Sequence, residues 1–201
     1  MHSYTVQYTI SAAGEIVGNV FVCLQEPSGK LGPIVEKKLW KATAPNVTLT
    51  CSRSGKLNQS LVKYFNQEII LKEMKLDFLY IIDSWTDQTN EEIYESIFGE
   101  ANDAPEAEVE IIPEKCTPYC QPLDTTFHRQ LKNLARRIFN HFEIFIEPFG
   151  IHPEDRITAR NGIIKFESLM HHQIFAPIFN EMTGTASTPL DFSRKMIRRN
   201  F

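Results

Sequence analysis

Phe78-Leu79-Tyr80-Ile81-Ile82-Asp83-Ser84 is the stretch on which the fold turns. A continuous apolar run that ends in a polar pair reads as a strand buried on both faces, with Asp83 delivered at its C-terminal tip. That places Asp83 at the end of a central strand. Residues 86–90 supply a turn, and residues 91–98 form a short helix with Ile93, Tyr94, Ile97 and Phe98 inward. A second strand over 107–112 stops at Pro113, so the segment is a β-α-β unit. Gln121-Pro122-Leu123-Asp124 then opens a long helix in which Phe127, Leu131, Leu134, Ile138, Phe142 and Phe145 recur every three or four residues. Such a stripe packs on a sheet.

Working back from this unit, residues 4–10 read as a strand of β-branched and aromatic residues, Ala13-Gly14 as a turn, and residues 16–24 as the returning partner. That is a hairpin. An irregular excursion follows to Pro45, then a short strand over 47–51, then a helix capped by Asn58 that runs to about Lys72. A last helical region, roughly 157–182, offers Ile163, Ile164, Phe166, Leu169, Met170, Ile174 and Phe175 as buried candidates and is interrupted at Pro177. The expected architecture is α/β, with a mixed sheet starting from an antiparallel hairpin and flanked by helices. One domain spans 1–201, with its core over about 2–146 and a C-terminal helical part over about 156–201.

Composition bounds the classes that fit. A chain of 201 residues that is 42% hydrophobic can bury a real core, which excludes disorder over most of its length. The longest mostly apolar run, 16–24, contains Gly18 and Asn19 and is far too short to span a bilayer, and no secretory signal precedes it. A soluble chain without a membrane partner is expected. Cys23, Cys51, Cys116 and Cys120 lack paired spacing, which argues against a disulfide framework and a structural zinc site and for a reducing compartment. Asn46-Val47-Thr48 and Asn58-Gln59-Ser60 match the glycosylation pattern but carry no weight without a signal peptide. Nine carboxylates and no Lys or Arg fall between Glu91 and Glu114, so a net charge of −4 divides into an acidic segment and a remainder of +5. Glycine-rich phosphate loops are absent, which argues against a nucleotide-binding protein.

Two carboxylates stand out by position. Asp83 ends a strand and Asp124 begins the helix after the next one, so both are expected at the rim where the carboxyl ends of strands collect ligands. Close carboxylates repel unless a cation intervenes, and hard oxygen ligands suit Mg2+ or Mn2+, which activate an attacking oxygen and stabilise a leaving one in phosphodiester chemistry. The plainer alternative makes Asp83 a turn residue and Asp124 an N-cap. Arg129, Lys132 and Arg136 step by three and four along the long helix, and Arg194, Lys195, Arg198 and Arg199 crowd the C-terminus. Either group could neutralise phosphates, or simply be solvated. No aromatic interleaves with them in a way that suggests base stacking. His171 and His172 read as packing residues and Cys116 and Cys120 as buried thiols.

The run 78–85, followed by Pro113, Thr117, Gln121, Pro122, Leu123 and Asp124 in the register P-x-x-x-T-x-x-x-Q-P-L-D, resembles the DDE transposase superfamily, in the pogo and jerky-like branch of the mariner group. The hairpin around Ala13-Gly14, the stretch Asn161-Gly162-Ile163-Ile164-Lys165 and residues 173–179 are similar to further parts of those enzymes. The resemblance implies an RNase H-like fold, DNA binding in the nucleus (the cytoplasm being the other compartment that fits), and descent from enzymes of metal-dependent DNA cleavage and strand transfer. It makes Asp83 and Asp124 catalytic residues and ligands of Mg2+ or Mn2+. The family's first Asp lies on a strand ahead of the hairpin. Here no carboxylate precedes Glu15, and Glu26 is the only early substitute. The implied sheet is therefore truncated at that strand, and either the hairpin shifts inward to repair it or the chain is marginally stable. Turnover is not expected, and a domesticated, non-catalytic interaction module is the alternative.

Overall fold

The computed structural model describes residues 3–36, 44–116, 127–146 and 159–176. In chain order its elements are β1 (Tyr4–Gln7), β2 (Val20–Gln25), β3 (Val47–Ser52), α1 (Gln59–Phe65), β4 (Phe78–Ile82), α2 (Glu91–Glu95), β5 (Ala107–Ile111), α3 (His128–His141) and α4 (Arg160–Ile174). Pro33–Glu36 adds a single helical turn. α1 continues through a π turn, Asn66–Ile70, to Glu73, and α3 continues through another, Phe142–Ile146. The described residues fall into two compact units, one holding β1 to β3, α4 and α3 from Arg129 onward, the other holding the hairpin tip 9–18 and residues 57–128.

In the first unit the sheet order is β1-β2-β3. β1 pairs with β2 antiparallel, Tyr4 opposite Leu24, and β3 pairs with β2 parallel, Val20 opposite Val47. A mixed sheet that starts with a hairpin is thus present. β2 lies between two partners, so its unbroken apolar run pays off: Val20, Phe21, Val22, Cys23 and Leu24 are all buried. β3 has one strand neighbour among the described residues and alternates, with Val47 and Leu49 inward. α4 packs on β2 and β3 with Ile163, Ile164, Met170 and Ile174 buried, each worth about 1.5–3 kcal/mol against exposure. Three of the expected core positions on this helix are not in the core. Phe166 is half-buried, while Leu169 and Phe175 are 44% and 57% exposed. At 100° per residue the buried arc through Ile163, Glu167, Met170, His171 and Ile174 points Leu169 to the far side, and Phe175 lies just past the last helical residue.

In the second unit Asn58 accepts a hydrogen bond from the Leu61 amide at 3.0 Å and caps α1, whose Val62 and Phe65, with Ile69 and Ile70 beyond, are buried. Gly18, at φ +63°, passes so close to this helix that a β-carbon there would lie 2.8 Å from Ile69 Cγ2. β4 and β5 pair parallel, Phe78 opposite Ala107 through Ile82 opposite Ile111, with α2 between them in sequence. The β-α-β unit is therefore formed, and all four residues expected to face inward from 91–98 are buried. Phe78 meets the Phe98 ring edge-on at 5.4 Å and Tyr80 meets Tyr94 at 5.9 Å. Burial pushes the Tyr94 hydroxyl up to about 12 and Tyr80 higher still.

β4 departs from the expected central strand buried on both faces. Among the described residues it pairs with β5 alone, and Ile81 is 46% exposed. Phe78 and Tyr80 project to the face covered by the aromatics of 94–98, and the alternate residues do not. No strand joins the β4-β5 pair to the β1-β2-β3 sheet among the described residues, so the inward-shifted, repaired sheet is not seen there.

Candidate functional site

Asp83 stands where the apolar run was expected to leave it, directly beyond β4 at the carboxyl edge of the parallel pair. The last rung of that edge is the Ile112 amide donating to the Ile82 carbonyl at 2.9 Å. Asp83 is half-buried, and its Oδ1 accepts from the Ser84 amide at 2.8 Å. The loop that follows is fixed by the Gln88 amide donating to the Trp85 carbonyl, by Tyr94 Oη donating to the Gln88 carbonyl at 2.7 Å, and by Asn90 capping α2. Asp124 lies outside the described residues, as do Thr117, Gln121, Pro122 and Leu123 of the motif, the C-terminal Arg194, Lys195, Arg198 and Arg199, and Cys120. Among the described residues no three His, Cys, Asp or Glu side chains converge as a metal centre would require. Those residues alone do not build a site for Mg2+ or Mn2+, and no step through a metal is derived. Glu26 is committed elsewhere: Arg160 donates to both of its carboxylate oxygens, from Nη2 at 2.9 Å and from Nε.

α3 carries the basic row. Arg129, Lys132 and Arg136 are exposed and share one face, Arg137 is exposed beside them, and the helix contains no Asp or Glu. Its apolar stripe is less covered than a core helix requires. Phe127, just before the helix, is buried, but no residue of His128–His141 is, and Leu131, Leu134 and Ile138 are half-buried. Phe142 in the π turn is half-buried as well.

α4 presents a polar line within its buried face that sequence reasoning missed. Arg160 reaches Glu26 past the end of β2, and Asn46, just before β3, meets the other end of the helix. Asn46 Nδ2 donates to the Ser168 carbonyl at 3.0 Å and lies 3.0 Å from His171 Nδ1, and Ser168 Oγ donates to Asn46 Oδ1 at 2.6 Å. These contacts fix α4 antiparallel to β2 and β3. Between them, Glu167 accepts from Tyr8 Oη at 3.0 Å and from Tyr4 Oη at 3.2 Å. Burial raises its carboxyl to about 7, against the two phenolic hydrogen bonds, which pull it down. The same burial and the nearby carboxylate push both tyrosines well above the usual phenol range. The available signal was polar residues at 160, 167 and 171, spaced to continue the stripe of Ile163, Met170 and Ile174. His171 is a packing residue as expected.

A shallow cleft of about 270 Å3 in this unit is lined by Tyr4, Ala135, Arg136, Phe139 and Phe166. Among the described residues no helix is long and apolar enough to cross a membrane. Comparison with known protein families, with curated proteins and with solved structures returns no match to this chain.

Proposed function

We propose that this chain is a transposon-derived, RNase H-like domain of the DDE type that binds DNA in the nucleus through the exposed basic face of α3. The observation that carries the reading is Arg129, Lys132 and Arg136 in one solvent-facing row on a helix without a carboxylate. A surface of that kind gathers phosphates and releases counterions. The motif register ending at Asp124 and the placement of Asp83 at a parallel strand tip support the lineage. In the metal half of the reading Asp83 and Asp124 would hold Mg2+ or Mn2+, which would supply Lewis-acid activation of a phosphodiester.

Binding of the full chain to duplex DNA, measured across a salt series, tests the first half. Three phosphate contacts give a log–log slope of about −2.7, and Lys132→Gln with Arg136→Gln lowers its magnitude by about 2. Duplex binding that ignores both substitutions refutes the assignment of the face. For the second half, millimolar Mg2+ or Mn2+ should raise the melting temperature of the wild type and not of Asp83→Asn with Asp124→Asn.

The second reading, a non-catalytic interaction module, is favoured by one contact: the Asp83 carboxylate accepts from the amide of the next residue, a local side-chain-to-backbone bond that needs no ligand. A melting temperature indifferent to metal, with the double Asn variant as stable as the wild type, selects it.

A further inference from the structure

The cleft beside α3 has a composition that the basic row alone does not explain. Phe139 and Ala135 lie on the flank of α3 next to Arg136, Phe166 comes from α4 and Tyr4 from β1. At 100° per residue Phe139 sits about 60° from Arg136 around the helix, so the aromatic wall adjoins the row Arg129, Lys132 and Arg136. The linear sequence hides this because three aromatic residues from three elements converge there. Tyr4 is a fixed wall, its hydroxyl held by Glu167 at 3.2 Å. A volume of about 270 Å3 falls below the range of ~300–1,000 Å3 for drug-sized ligands and suits one planar ring system.

We infer that this cleft takes a base of single-stranded nucleic acid, stacked against Phe139 and Phe166, while Lys132 and Arg136 hold the adjoining phosphates. The occupant follows from charge complementarity. An apolar peptide would fill the aromatic wall and leave unanswered the three exposed cations of the adjoining row on a helix with no acid, whereas a nucleotide answers both with one repeating unit. The inference rests on the nucleic-acid reading of α3 and sharpens it from phosphate binding to single-strand preference.

The test uses the full chain and fluorescein-labelled dT20, compared by anisotropy with a 20-base-pair duplex at several salt concentrations. Phe139→Leu and Phe166→Leu keep an apolar side chain and remove the stacking face. Each is expected to weaken dT20 binding about 5- to 100-fold and to leave duplex binding within about twofold. Arg136→Gln weakens both ligands and reduces the salt slope. Photocrosslinking to a dT20 carrying 5-iodouracil is read on the wild type, so it does not depend on how the variants fold. Adducts at Tyr4, Phe139 or Phe166 support the inference, and adducts confined to other residues overturn it. Unchanged dT20 affinity in both Phe variants also overturns it, while duplex binding that still responds to Lys132 and Arg136 keeps the broader reading. An absence of binding to either ligand overturns both.

Discussion

Glu167→Gln is expected to flatten the pH dependence of stability of the β1-β2-β3 unit. The carboxyl is buried between two phenols and titrates near 7 when folded, against an ordinary 4.5. Its folded pKa is raised, so the folded state binds the proton more tightly than the unfolded chain. The resulting stability is complete below about pH 4.5 and drains away as pH rises through about 7. The whole interval is worth about 3 kcal/mol at ~1.4 kcal/mol per pH unit. Glutamine is uncharged throughout, nearly isosteric, and can accept from one tyrosine while donating to the other. At pH 5 the two proteins should therefore agree within about 1 kcal/mol. By pH 8.5 the variant should have gained about 2–3 kcal/mol relative to the wild type, some 4–12 °C in melting temperature for a chain of this length. Urea and thermal melts of both proteins at half-unit steps from pH 5 to 9 read the difference, which cancels the histidines common to both. Parallel curves, or a wild type that gains stability across this window, would show that Glu167 is not a buried carboxyl held by Tyr4 and Tyr8.

Three further perturbations probe the same unit and its neighbour. Tyr8→Phe removes the shorter of the two phenolic bonds, and should cost about 1 kcal/mol at pH 5 but ~1.5–3 kcal/mol at pH 8.5, where the acceptor is charged. An equal cost at both pH values contradicts the assigned acceptor. Arg160→Met leaves the Glu26 carboxylate buried without its bidentate partner and should destabilise by about 2 kcal/mol, discounted because the Arg160 side chain is 35% exposed. A double-mutant cycle with Glu26→Gln should return a coupling of about 1 kcal/mol or more, and strict additivity sinks the pairing. Gly18→Ala forces a positive φ and a 2.8 Å approach to Ile69, for a loss of ~1–3 kcal/mol; an unchanged melting temperature would place residue 18 differently.

How far the sequence could be read depended on whether local pattern and long-range packing agreed. The hairpin, β3, the capped helix at Asn58 and the β-α-β unit were legible because each carries its own period, cap or turn. Ile81 was misread because a continuous apolar run looks the same whether one face or both are covered. Leu169 is apolar yet lies on the outer side of α4, and Phe175 follows the last helical residue and lies exposed against the His171 ring, so hydrophobicity alone does not place either of them. A buried carboxylate is legible only through its partners, and Tyr4 and Tyr8 lie some 160 residues away in sequence. The basic row of α3 was visible as spacing, but its aromatic neighbours were not, since Phe166 and Tyr4 reach the cleft from other elements. Of the two aspartates, Asp83 lies at the expected strand tip, and Asp124 is outside the described residues.

The backbone of β4 shows which of its edges is paired. The Phe78 amide donates to the Glu106 carbonyl, and the Ile82 carbonyl accepts from Ile112, so Phe78, Tyr80 and Ile82 direct their backbone groups toward β5. With a period of two, Leu79 and Ile81 direct theirs to the opposite edge, where no strand pairs among the described residues. An RNase H-like sheet has a strand on that edge. The isolated chain should therefore exchange the Leu79 and Ile81 amides at least tenfold faster than those of Tyr80 and Ile82, a gap of ~1.4 kcal/mol in protection. The amides of Val20 to Leu24, in a strand paired on both sides, should be the slowest of all. Supplying a strand in solution, as an extended peptide or a longer chain, should bring Leu79 and Ile81 down to the rate of their neighbours if the sheet is built to receive it. Equal protection along β4 without any addition would mean that the edge is already paired, and the two-sheet arrangement would have to be abandoned.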